Sequence, residues 1–112
     1  MSGMAQILRL ALLILALAPV AAPAATAEHV IAFIAAAKTH ARTDEALAAL
    51  QAGPEAEYYR WGEETCTWVR LGKSSLLDTE ANLAAFFGPD LASALVFAAL
   101  QVICPEARPP CL

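Results

Sequence analysis

Apolar residues along this chain come in two kinds of run: unbroken blocks towards either end and interrupted, periodic stretches between them. The first block, Leu10 to Leu17 (LALLILAL), follows Arg9 and precedes Pro19, Pro23 and a tract of small residues ending at Ala27. A short positive segment, a compact apolar segment and a small-x-small site (Ala25-x-Ala27) are the three parts of a secretory signal. Residues 1–27 are therefore expected to be a signal peptide cut after Ala27. They contain no cysteine, which argues against a lipid anchor. An uncleaved anchor is the alternative, because Leu10 to Ala27 supplies about 18 uncharged residues, the short end for a membrane span.

The periodic stretches read as helices. Val30, Phe33, Ile34 and Ala37 recur at i, i+3, i+4 and i+7, one helical face between Glu28 and about Thr39. Lys38, His40 and Arg42 lie near its end, where cations complement the dipole. Thr43 is placed as an N-cap ahead of Asp44, Glu45 and the helix-forming run to Gln51. Gly53-Pro54 then reads as a left-handed stop followed by a proline in the first helical position. A third helix is expected from Pro54 to Leu71. Tyr59, Gly62, Cys66 and Val69 share one stripe of it, with Gly62 leaving room for another backbone to approach, and Gly72 ends it. Ser74 to Leu77 reads as a connector. Asp78 or Thr79 is expected to cap a short fourth helix ending at Phe86-Phe87-Gly88.

Pro89-Asp90 opens the second unbroken block. From Leu91 to Cys104 only Ser93 and Gln101 are polar, and a helix without a polar face is buried all round. Too short to span a bilayer, it is expected to be the central core helix, ended by Pro105. No strand, internal repeat or heptad run is evident. The expected architecture is all-α, a small bundle of four to five short helices held by one disulfide and preceded by the signal peptide. Residues 28–105 would form this domain, and residues 106–112, with Pro109-Pro110, an extended proline-rich tail.

Composition sharpens the picture in two ways. A mature chain of about 85 residues has little core to spare and often needs a covalent staple. The 112-residue precursor carries Asp and Glu 11 times against Lys and Arg 7 times, a formal net charge of −4. An acidic surface disfavours nucleic acids and anionic membranes.

Three cysteines remain, Cys66, Cys104 and Cys111, and an oxidising compartment makes a disulfide the expected state. Cys66–Cys104 would close a loop of roughly 40 residues and stabilise the domain by about 4 kcal/mol on the chain-entropy account. Cys104–Cys111 is the rival and would stabilise little beyond the tail. The first pairing is preferred, with Cys111 then free or open to an intermolecular bond that would make a dimer.

The run from Gly62 to Gly72 has the pattern G-x-x-x-C-x-x-x-x-x-G, and a helix ending in Val102-Ile103-Cys104-Pro105 follows about 30 residues later. In these features, and in the Phe33-Ile34 helix upstream, the chain resembles domain of unknown function 732, a family of small secreted helical proteins. That resemblance implies a Cys66–Cys104 bond and no activity. Cys111 and the acidic segment from Pro54 to Glu64 depart from the family. A weaker similarity is to the Rap1a/Tai immunity proteins, which are exported, helical and disulfide-bonded. Tyr58 to Gly62 replaces the Gly-Tyr-Ile-type motif expected there.

Catalytic chemistry is scarce. Nucleophilic catalysis needs a nucleophile, a base in reach and a group to orient it. The histidines are His29, at the new N-terminus, and His40, at a helix end and read as solvated. No Gly-x-Ser-x-Gly, P-loop or dinucleotide fingerprint occurs. Three scattered cysteines do not make a zinc site, and Glu55, Glu57, Glu63 and Glu64 read as a solvated helix face. No enzyme activity, cofactor, metal or large polar pocket is expected.

The aromatic segment is the exception. Tyr58, Tyr59, Trp61 and Trp68 crowd one helix beside Arg60, with Trp61, Thr65 and Trp68 sharing a face. Core packing around the disulfide accounts for them on one reading. On the other they form a patch that docks a partner, since Tyr, Trp and Arg dominate interface energies. The sequence thus points to a periplasmic or secreted, non-catalytic module that binds another protein through Tyr58, Tyr59, Arg60, Trp61 and Trp68. Three alternatives have their own signatures: an immunity protein would be encoded beside a toxin, a stress chaperone would expose apolar surface on acidification, and a membrane-anchored accessory subunit would keep its N-terminus.

Overall fold

The computed structural model describes residues 26–109, so the signal-peptide segment up to residue 25 and Cys111 lie outside the described residues. Five α-helices follow one another: α1 (Ala27–His40), α2 (Asp44–Ala52), α3 (Glu55–Arg70), α4 (Leu76–Phe87) and α5 (Pro89–Ala98). A π-helical turn (Ala99–Ile103) continues α5, and a single 3-10 turn (Pro105–Ala107) follows Cys104. The chain is an all-α bundle, and no strand occurs among the described residues.

Local chemistry explains most of the boundaries. Thr26 and Thr43 accept backbone N–H bonds three residues on, from His29 and Ala46, and so cap α1 and α2. Ser75 caps α4 by accepting from the Asp78 N–H, which corrects the expectation of Asp78 or Thr79 and starts the helix at Leu76. Gly53 takes a positive φ of 80°, but Pro54 precedes the first helical residue of α3 instead of occupying it. Pro89 does begin α5, where its missing N–H costs nothing.

The core is organised around α5. Leu91, Ala92, Ala94, Leu95, Val96, Ala98, Ala99 and Leu100 are all buried, as expected of a helix with no polar face. It packs most extensively on α4 and α1, and α3 closes the other side. The fully buried side chains of Phe33, Leu50, Leu83, Leu95 and Leu100 fill the centre.

The last turn of that apolar block departs from the expected continuous α-helix. The Cys104 N–H bonds to the Ala99 carbonyl at 2.9 Å, five residues back, so the turn is wider than an α-turn. Pro105 disfavours helical backbone at the residue before it, and Cys104 accordingly adopts φ −133°, ψ 65°. Both cysteines are buried and bonded to each other, with Cα atoms 5.9 Å apart. This is the Cys66–Cys104 pairing, and it joins the middle of α3 to the end of the α5 block.

Gly62, one turn before Cys66, does admit a close neighbour, but the neighbour is a side chain and not a backbone. A Cβ built at Gly62 would lie 2.7 and 2.8 Å from two ring carbons of Phe33 and 3.0 Å from Ile103 Cδ1. The Phe33 ring, edge-on to Tyr59 at 5.5 Å between centroids, occupies the space a larger residue would need.

Two polar straps complete the frame. The Asp90 carboxylate accepts from the backbone N–H groups of Arg42 and Thr43 and from the Thr43 hydroxyl, pinning the α1–α2 loop to the start of α5. These bonds, the Thr43 hydroxyl first among them, hold the Asp90 carboxyl below the usual aspartate range. Beyond the disulfide, Arg70 pairs with Glu106 and donates to the Ile103 carbonyl at 3.4 Å. Pro105–Ala107 is therefore a turn tied back to α3, so Glu106 and Ala107 are not extended, and the chain takes extended backbone at Arg108.

Candidate functional site: an aromatic groove between two helices

Of the residues proposed to bind a partner, two belong to the interior. Tyr58 is buried, its hydroxyl donating to the Ala49 carbonyl at 3.4 Å and its ring edge-on to Phe87. Tyr59 is buried against Phe33, and burial, reinforced by the nearby charge of Glu63, raises its phenol above the ordinary tyrosine value. Successive residues on a helix lie about 100° apart. Tyr58 and Tyr59 thus turn inward on either side of Gly62, while Trp61 turns towards α4.

Arg60, Trp61 and Trp68 remain at the surface, and the structure adds residues that the periodicity of α3 could not supply. Trp61 is half-buried and stacks on Phe86 of α4, with centroids 5.9 Å apart and an interplanar angle of 30°. It also meets Phe87 edge-on at 5.8 Å. Phe86 itself is 75 % exposed. Arg60, Trp61, Glu64, Trp68 and Phe86 line a hollow of about 330 Å³ between α3 and α4. Nothing in the sequence told Phe86 from Phe87, since adjacent aromatics on a helix can both turn inward, as Tyr58 and Tyr59 do. Phe87 packs inward and Phe86 is left on the groove.

Trp68 also borders a second, more open hollow of about 560 Å³ with Lys73, Ser74, Asp78, Ala81 and Asn82. Its size and polarity were not expected. The two hollows meet at Trp68, the first lined by Trp61 and Phe86 and the second by polar residues including Lys73 and Asp78. Thr65 lies beneath the groove, buried and donating to the Trp61 carbonyl at 2.9 Å. It fixes the wall without contributing to its surface.

The remaining sequence candidates stand apart from this groove. His29 is exposed at the start of α1. His40 is not simply solvated. It is half-buried, stacks on Phe97 at 5.5 Å and lies with Nε2 3.0 Å from the Gln101 side-chain oxygen. Among the described residues no group of His, Cys, Asp and Glu is arranged to hold a metal ion, and no helix is long and apolar enough to cross a membrane.

What the groove offers chemically is apolar area with charge at its margins. Phe86 and the two tryptophans supply large, stiff contact surfaces, and Arg60, Glu64 and Asp78 supply polar discrimination. Comparison of the chain with protein-family models, with curated proteins and with solved structures finds no match.

Proposed function

We propose that this chain is an exported, disulfide-held helical domain that works by binding another protein through the α3–α4 groove, without catalysis. The observation that carries this reading is Phe86, three-quarters exposed and stacked on Trp61 at the mouth of that groove. An isolated exposed apolar residue is ordinary, but an exposed aromatic backed by two tryptophans and an arginine has the composition of an interface anchor. Export is supported by the apolar segment from Leu10 to Leu17 and by the buried Cys66–Cys104 bond, which an oxidising compartment favours.

Two measurements test the reading. Intact mass of the protein from its native host, before and after reduction, is expected to show a chain beginning at Glu28 with one disulfide. A chain retaining Met1 with all thiols reduced would remove the export argument. A photo-cross-linking residue at position 86 is expected to trap a distinct protein that one at position 31, on the exposed face of α1, does not. No adduct at 86, or the same adducts from both sites, would defeat the binding proposal.

A further inference from the structure

Arg70 stands one helical turn beyond Cys66 on the same face of α3, and it reaches the chain on both sides of Cys104. Its guanidinium donates to the Ile103 carbonyl at 3.4 Å and pairs with the Glu106 carboxylate. One side chain thus brackets the second cysteine of the disulfide, from the residue before it to the second residue after it.

The bond itself is sealed. Cys66 is 1 % exposed and Cys104 0 %, so a reductant reaches neither sulfur in the closed fold. The two halves of the seal differ. Cys66 sits in the middle of α3, with helical backbone on either side. Cys104 lies outside helical backbone, between the π turn and the Pro105–Ala107 turn. Ala107, in that second turn, packs against the buried cluster that includes both cysteines. The turn's own backbone bonds are internal. They run from the Ala107 N–H to the Cys104 carbonyl at 3.0 Å and from the Arg108 N–H to the Pro105 carbonyl at 3.2 Å, so the turn can move as one piece. Arg70 fastens that piece to α3. Arg70 and Glu106 are each about half exposed, and an ion pair in water is weak and screened by salt.

We propose that Arg70 is the latch of a gate over the disulfide. When it lets go of Glu106 and of the Ile103 carbonyl, the Pro105–Ala107 turn swings off α3 and uncovers the Cys104 sulfur while the rest of the bundle stays folded. The reactant admitted is a small dithiol. One of its thiolates attacks the Cys104 sulfur, the bond to Cys66 breaks, and Cys66 leaves as a thiolate that takes up a proton. The reagent's second thiol, once deprotonated, displaces Cys104 from the mixed disulfide, and Cys104 is protonated in turn. The protein gains two electrons and two protons, and the dithiol becomes a cyclic disulfide. The cross-link is thereby exchangeable from its Cys104 side through a local opening, and not only by unfolding. This gate does not depend on the α3–α4 groove.

Dithiothreitol at fixed pH is the probe, applied to the disulfide-bonded protein. Thiols released at Cys66 and Cys104 are trapped with iodoacetamide and quantified by peptide mass. The wild-type reduction rate is expected to be nearly flat in low urea, the mark of a local opening. Arg70→Gln and Glu106→Gln should each raise it about three- to tenfold, the scale of one or two lost surface contacts. Sodium chloride at about 1 M should raise the wild-type rate and leave the Arg70→Gln rate unchanged. Thr43→Ala, which weakens the fold at the distant α2 cap, should leave the rate unchanged and so separates gating from a general loss of stability. A wild-type rate that climbs with urea in step with global unfolding, equal acceleration by Thr43→Ala and Arg70→Gln, or no acceleration by either latch variant would overturn the proposal.

Discussion

Helix α3 has two faces that obey different rules. On one, Tyr59, Gly62 and Cys66 are buried, and the fit is tight enough that Phe33 fills the place of a missing Cβ. On the other, Glu57, Trp61, Glu64 and Trp68 border open space, and the chain's two largest side chains are only half-covered. The closely packed face fits tyrosine around a glycine and a covalent bond, whereas the open one leaves two tryptophans half-covered between glutamates. In this bundle the size of an apolar residue is therefore a poor guide to how deeply it is buried. What decides burial on α3 is the distance to α1 and α5, which Gly62 and the disulfide make short.

The contrast can be broken most severely at the disulfide. Cys66→Ala/Cys104→Ala is expected to lose about 4 kcal/mol through the released loop, against the roughly 5–15 kcal/mol that keeps a domain folded. Thermal melts followed by circular dichroism should show a large fall in Tm, matched by the wild type in strong reductant. Gly62→Ala comes next. Its intrinsic gain in helix propensity, about 1 kcal/mol, is outweighed by overpacking against Phe33, for a net loss of about 1–2 kcal/mol in urea titration. Phe33→Leu in the same chain should recover part of that loss, which a purely backbone effect at position 62 would not allow.

Removing the α2 cap with Thr43→Ala should cost about 1 kcal/mol. The same region gives an acid dependence whose sign is determined. Asp90 and Glu106 have folded-state values held below 3.8 and 4.5 respectively. Their stabilisation is complete above those unfolded values and is lost as pH falls through the lower folded ones, so urea midpoints should decline below about pH 4. Asp90→Asn should flatten that decline. Tyr59 acts in the opposite direction. Its folded value is raised above 10.0, so its contribution holds below that pH and is lost as pH rises further. The smallest effect belongs to the open face. Phe86→Ser should change stability by about 0.5 kcal/mol or less while abolishing the adduct at the groove mouth in a cross-linking assay from position 64. A Phe86→Ser protein that melts as early as Gly62→Ala would erase the distinction between the two faces.

Much of the fold was legible because its signals are local. Thr43 caps α2 because a hydroxyl three residues ahead of an amide is enough, and the α5 block is buried because it has no polar face. Ser75 was overlooked because Leu76 and Leu77 look like a connector when Leu77 does not face the core, and it is in fact 76 % exposed. The π turn could not be read at all. A helix that is apolar on every side carries no phase, so nothing marks where its pitch changes. Of the site, Arg60, Trp61 and Trp68 were visible in the composition of α3. Periodicity within one helix could not say that Tyr58 and Tyr59 turn inward, nor that Phe86 and Asp78 arrive from a different helix. Glu106 was assigned to a loose tail because its partner, Arg70, is distant in sequence and close only once the disulfide is formed.

The widened turn at Ala99–Ile103 makes this stretch sensitive to length more than to chemistry. Conservative apolar exchanges can be absorbed by repacking. Deleting one residue would swing the following cysteine by roughly 100° about the helix axis. Its sulfur would then point away from Cys66, so at this point in the chain counting residues matters more than choosing them.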